Sequence, residues 1–103
     1  MIGYESGQLA RSLAGHDKGR LYIILEESGE YVSLTDGKTR TVKQPKRKNK
    51  KHVQIQASTD KELLYRFKRG EAVGDEEIRN SLSRQAQLLQ QGGNRRNVES
   101  RCD

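Results

Sequence analysis

The chain has 103 residues, of which 31% are hydrophobic and 33% charged, with one Phe and no Trp. That length and apolar content support one small core with part of the chain outside it, and they exclude several independent domains. Twenty Lys and Arg against fourteen Asp and Glu give a net charge of +6, which favours a polyanionic partner, and a lone Cys excludes an internal disulfide framework and suits a reducing cytosol.

In chain order, the first half reads as short strands separated by turns. A first strand is expected over residues 8–13, followed by a glycine-bracketed loop, Ala14, Gly15, His16, Asp17, Lys18, Gly19 and Arg20. The run Leu21, Tyr22, Ile23, Ile24, Leu25 is apolar on successive residues, so this second strand needs cover on both faces, as at the centre of a small barrel. Ser28 and Gly29 signal a hairpin into a third strand at Tyr31–Leu34. Asp36-Gly37 is the strongest hairpin dipeptide in the chain and predicts a type I′ turn, with a fourth strand over residues 39–42. Val53, Ile55 and Ala57 alternate with Gln54 and Gln56, the period of a fifth, half-buried strand.

Helical signals begin at Thr59, where Thr59, Asp60, Lys61 and Glu62 fit a capping box ahead of Leu63, Leu64 and Phe67, and Gly70 supplies a stop. A second helix is expected from Asp75, Glu76 and Glu77, with Gly92 and Gly93 ending it and with Ile78, Leu82, Ala86 and Leu89 forming an apolar stripe that either docks on the β domain or, as the alternative, offers a surface to a protein or RNA partner. Beyond them the polar, aperiodic tail is expected to be disordered. The partition is therefore a β domain over 1–57 with a basic loop at 43–52, a helical extension over 58–91 and a tail over 92–103. No apolar run approaches the 18 to 20 or so residues of a membrane span and no secretory signal is visible, so a cytoplasmic location with no membrane partner is expected.

The strand over 8–13, the loop Ala14–Arg20 and the apolar strand at Leu21–Leu25 together resemble the KOW motif of ribosomal proteins and transcription elongation factors, with Gly19 at the family's invariant glycine position. With residues 36–42 and the Lys/Arg tract, the segment over roughly 3–57 is similar to small bacterial KOW-domain RNA-binding proteins, themselves similar to a large-subunit ribosomal protein of the archaeal and eukaryotic type. The resemblance implies a five-stranded SH3-like barrel and RNA binding, with large-subunit ribosomal RNA as the usual partner and ribosomal proteins as further candidates. His16 departs from the pattern, standing where such loops often carry Arg, and the tail past Gly92 has no counterpart in it.

Charge points the same way without the resemblance. Lys43, Lys46, Arg47, Lys48, Lys50 and Lys51 place six cations in nine residues, flanked by Lys38 and Arg40, with no acid between Gly37 and His52. Such a run repels itself, and a polyanion relieves it. The expected RNA face is Lys18, Gly19, Arg20, Lys38, Arg40, Lys43, Lys46, Arg47, Lys48, Lys50 and Lys51. If all six tract cations met phosphates, log affinity would fall with log salt at a slope of roughly −4 to −5. Of the rings that could stack on bases, Tyr4, Tyr22, Tyr31, Tyr65 and Phe67, most are expected in the core.

No catalytic or metal-binding constellation is apparent. His16 and His52 are far apart, Cys102 lies in the tail, and no phosphate-binding loop or nucleophile motif occurs. The expectation is a non-enzymatic binder without a cofactor or a small-molecule substrate. A protein-interaction module of the transcription or translation machinery and a charge-driven DNA compactor are the alternatives.

Overall fold

The computed structural model of the chain describes residues 4–57 and 60–102, with side chains described up to residue 88. Five strands, β1 (Leu9–Ser12), β2 (Leu21–Ser28), β3 (Tyr31–Thr35), β4 (Lys46–Asn49) and β5 (Val53–Ile55), precede two helices, α1 (Lys61–Lys68) and α2 (Asp75–Cys102), and a 3-10 turn at Lys50–His52 joins β4 to β5. All pairings are antiparallel in the order β4-β3-β2-β1-β5. The frame is mainly β, but the sheet is not closed: no ladder joins β4 to β5.

It is nevertheless strongly coiled, for a geometric reason. In a flat five-stranded sheet the edge strands would lie about 19 Å apart, four spacings of roughly 4.8 Å. The four peptide steps from Asn49 to Val53 reach at most about 14 Å. The edges must therefore curl toward each other, and β2 supplies the bend. Leu21, Tyr22 and Ile23 pair with β1, residues from Ile23 to Ser28 pair with β3, and the register shifts between Ile24 and Glu26. A bulge of this kind raises the local twist. The expected barrel, closed or nearly closed, is a coiled open sheet because the two edge strands, 4 and 3 residues long, meet through a turn rather than a ladder.

The two faces of β2 explain its unbroken apolar run. Tyr22 and Ile24 join Ala10, Val32, Leu34 and Val53 in a cluster inside the curl. Leu9 and Ile23 on the other face join Leu63, Val73 and Ile78 from the helical segment, with Leu21, Phe67 and Leu82 packed against them. The cover on the second face comes from the helices, and α2 docks on the sheet through the expected Ile78 and Leu82.

Other expectations are corrected. Residues 39–42 do not form the fourth strand; β4 is the basic tract itself. The side chain of Asp36 accepts hydrogen bonds from Lys38 N at 2.9 Å and Arg40 N at 2.8 Å, and the Arg40 carbonyl accepts from Asp36 N at 3.0 Å and the Thr35 hydroxyl at 2.5 Å. This compact turn consumes the backbone groups a strand would need. It is not type I′, since Gly37 has φ of +73° and no described non-glycine residue has positive φ. Asp60, not Thr59, caps α1, its side chain accepting from Leu63 N at 3.2 Å; Thr59 falls outside the described residues. The stop expected at Gly92 and Gly93 and the irregular tail are replaced by continuous helix as far as Cys102. Glycine lowers helix propensity by about 1 kcal/mol but, unlike proline, leaves every backbone hydrogen bond available.

Candidate nucleic-acid interface

The period of two along β4 divides the basic tract into two populations. Lys46 and Lys48 stand opposite Leu34 and Val32, on the inner side of the curl, while Arg47 and Asn49 stand opposite Ser33 and Tyr31 on the outer side. Inside, the Lys48 ammonium lies 2.9 Å from Asp17 Oδ1 and also donates to the Ala14 carbonyl at 2.9 Å, and Lys46 lies 3.1 Å from Asp17 Oδ2. Just past β4, Lys50 pairs with Glu27. The tract is therefore not without compensating acid: Asp17, shared by Lys46 and Lys48, and Glu27, beside Lys50, pair with three of its cations from positions distant in sequence.

Asp17 organises the expected RNA loop. Its carboxylate also accepts from the Ser12 hydroxyl at 2.9 Å and the Tyr22 hydroxyl at 2.8 Å. Burial by itself raises the Asp17 pKa, but the hydrogen bonds from Lys48, Tyr22, Ser12 and Lys46 outweigh it and hold the carboxyl well below the usual range. Burial and the Asp17 carboxylate together push the Tyr22 hydroxyl up to about 12. Around this hub the loop is fixed by Gly19 N donating to the Ser12 carbonyl at 2.8 Å, Arg20 N to the Asp17 carbonyl at 2.9 Å and the Arg11 guanidinium to the Gly19 carbonyl at 2.8 Å. Gly19 has φ of +91°, a conformation that side-chain-bearing residues rarely adopt. Lys18 within the loop and Arg20 at its junction with β2 are left exposed.

The β3–β4 connection is tied to α2. Gly37 packs so closely on the first turn of α2 that an added Cβ would overlap the Asp75 carbonyl oxygen. Arg79 donates to the Gly37 carbonyl at 2.6 Å, and Val42 N donates to the Asp75 side chain at 2.7 Å. These contacts hold a segment on which Lys38, Arg40 and Lys43 are exposed. Asp75, Glu76 and Glu77 do lie in the first helical turn of α2, as expected.

Lys18, Arg20, Lys38, Arg40, Lys43, Arg47 and Lys51 are all exposed, and none of them takes part in the ion pairs found among the described residues. Of the residues expected at the RNA face, this set is presented to solvent, whereas Lys46, Lys48 and Lys50 are engaged by the fold. Arg47 lies over the Tyr31 ring, 3.8 Å from its centroid. Tyr31 is 37% exposed, Tyr65 is 57% exposed under Arg69, and Tyr22 is 1% exposed. Tyr22 is thus a core residue, and Tyr31 and Tyr65 are not.

Sequence reasoning missed Asp17 and Arg79. An isolated acid inside a basic loop is a signal for the first; nothing local distinguishes the second from other helix-surface arginines. β4 is also an edge strand, and Lys and Arg on an edge block pairing with another chain, so part of the tract's charge has a purely structural use. Among the described residues no group of His, Cys, Asp and Glu could hold a metal ion, and no helix is long and apolar enough to cross a membrane. No protein-family model matches the chain, and no curated protein matches it.

Proposed function

We propose that this protein binds RNA without catalysing a reaction, as a KOW-type module whose coiled, open sheet is of the SH3-like type and whose expected partner is large-subunit ribosomal RNA. The observation that carries this reading is the division of charge just described. The β1–β2 loop, the β3–β4 connection and the outer side of β4 keep exposed cations free of acidic partners, although acids elsewhere in the chain do pair with the inner lysines. Free exposed cations on loops fixed by internal hydrogen bonds suit phosphate positioning, because little ordering is left to be done on binding. The Tyr31–Arg47 stack offers a planar guanidinium to an unpaired base.

The phosphate count is smaller than the tract alone suggests. Lys43, Arg47 and Lys51 remain available from it, so its contribution to the salt slope falls to roughly −2 to −3, with about −0.7 to −0.9 more for each loop cation engaged. The test is titration of the whole chain against ribosomal RNA fragments and control RNA across a salt series, with sedimentation of lysate ribosomes beside it. Salt-dependent binding to ribosomal RNA and co-migration with large subunits are expected. Failure to bind any RNA at low salt refutes the reading; binding to RNA without ribosomal co-migration refutes only the ribosomal part.

A further inference from the structure

A groove lies between the β domain and α2, beside the Arg79–Gly37 hydrogen bond and the Leu82 packing contact described above. It is open to solvent, with a volume of about 390 Å³, and its wall carries Arg20 from the β1–β2 loop, Lys38 from the β3–β4 connection and Arg79 from α2. Leu21, Leu82 and Ala86 supply an apolar floor. The one acid on the lining is Asp36, whose carboxylate already accepts from Lys38 N and Arg40 N. Cations around an apolar floor match the two halves of a nucleotide, an anionic phosphate and a flat base that gains by leaving water.

We infer that this groove takes one unpaired nucleotide of a bound RNA, its base against Leu21, Leu82 and Ala86 and its phosphate among Arg20, Lys38 and Arg79. The inference rests on the RNA-binding reading and deepens it: α2 becomes part of the binding surface, and the protein distinguishes unpaired from fully paired RNA. A base held inside a duplex cannot reach an apolar floor set behind a cationic rim, so a duplex meets only the rim and the outer cations.

The test uses the full chain, a short labelled single-stranded RNA and the duplex made from it. Ser83→Met/Ala86→Met fills the groove without changing charge, at positions on a helix where methionine is well tolerated. This variant is expected to lose about fivefold or more in affinity for the single strand, the effect of leaving one base's apolar surface in water, and less than twofold for the duplex, with Lys61→Gln on α1 as a control that changes neither. Unchanged single-strand affinity overturns the groove, as does an equal loss on both RNAs. Photo-crosslinking of 4-thiouridine RNA to the unmodified protein decides the matter if the variant fails to fold: crosslinks within residues 79–86 are expected, and crosslinks confined to β4 and the β1–β2 loop overturn the inference while leaving RNA binding intact. Absence of binding to either RNA removes the functional reading and the groove together.

Discussion

Arg47 and Lys48 are adjacent in the chain and opposite in circumstance. Lys48 is directed into the curl, its side chain 10% exposed, and meets Asp17; Arg47 is exposed on the outer side against Tyr31. The inner row of β4 and the outward set differ in what surrounds them, not in composition. A run of like charges is thus not one feature: once it forms a strand, alternation gives one row to the fold and the other to solvent.

The largest expected effect breaks the inner row. Asp17→Ala leaves the mostly buried Lys48 ammonium with the Ala14 carbonyl but no counter-charge and releases the Ser12 and Tyr22 hydroxyls, so unfolding stability should fall by about 3 to 5 kcal/mol in chemical denaturation. A loss under 1 kcal/mol would show that the hub does not hold the loop. Next comes the join between the β3–β4 connection and α2. Gly37→Ala meets both a positive φ and the Asp75 carbonyl, and about 1 to 3 kcal/mol of destabilisation is expected, measurable by thermal melting.

The outward set answers to a different measurement. Replacing Lys43, Arg47 and Lys51 together by Gln should make the salt slope of RNA binding shallower by roughly 2 to 3 and leave stability within about 0.5 kcal/mol per site. Lys48→Met should do the reverse, altering stability and leaving the slope as it was. If the two sets behaved alike, the division along β4 would carry no functional meaning.

The hub also answers to pH. Asp17 and Asp60 have pKa values lowered from 3.8; for Asp60 burial opposes the shift, and hydrogen bonds from Ser81, Leu63 N and Arg84 produce it. A depressed folded pKa adds stability above the unfolded value and loses it as pH falls through the folded one. Stability should therefore hold above about pH 5 and decline below pH 4, less steeply in Asp17→Asn. Tyr22 has the opposite sign: raised from 10.0 to about 12, it adds stability that is complete below pH 10 and lost as pH rises toward 12.

The sequence by itself determined β2, the Gly29 hairpin, β5 and the existence of the Ile78–Leu82 stripe, because period and turn chemistry are local; that the stripe docks on the sheet was decided by the fold. It also placed Lys18, Arg20, Lys38, Arg40, Lys43, Arg47 and Lys51 among the candidates, since charge is read directly from composition. Tertiary structure alone decided that β4 is the basic tract, that the sheet coils without closing, and that Lys46, Lys48 and Lys50 serve the fold. Those outcomes rest on Asp36 turning back on its own backbone, on Asp17 meeting a strand about thirty residues away and on Glu27 meeting Lys50. A carboxylate's partner across the fold leaves no periodic trace in the chain, and so no pattern of spacing could have assigned it.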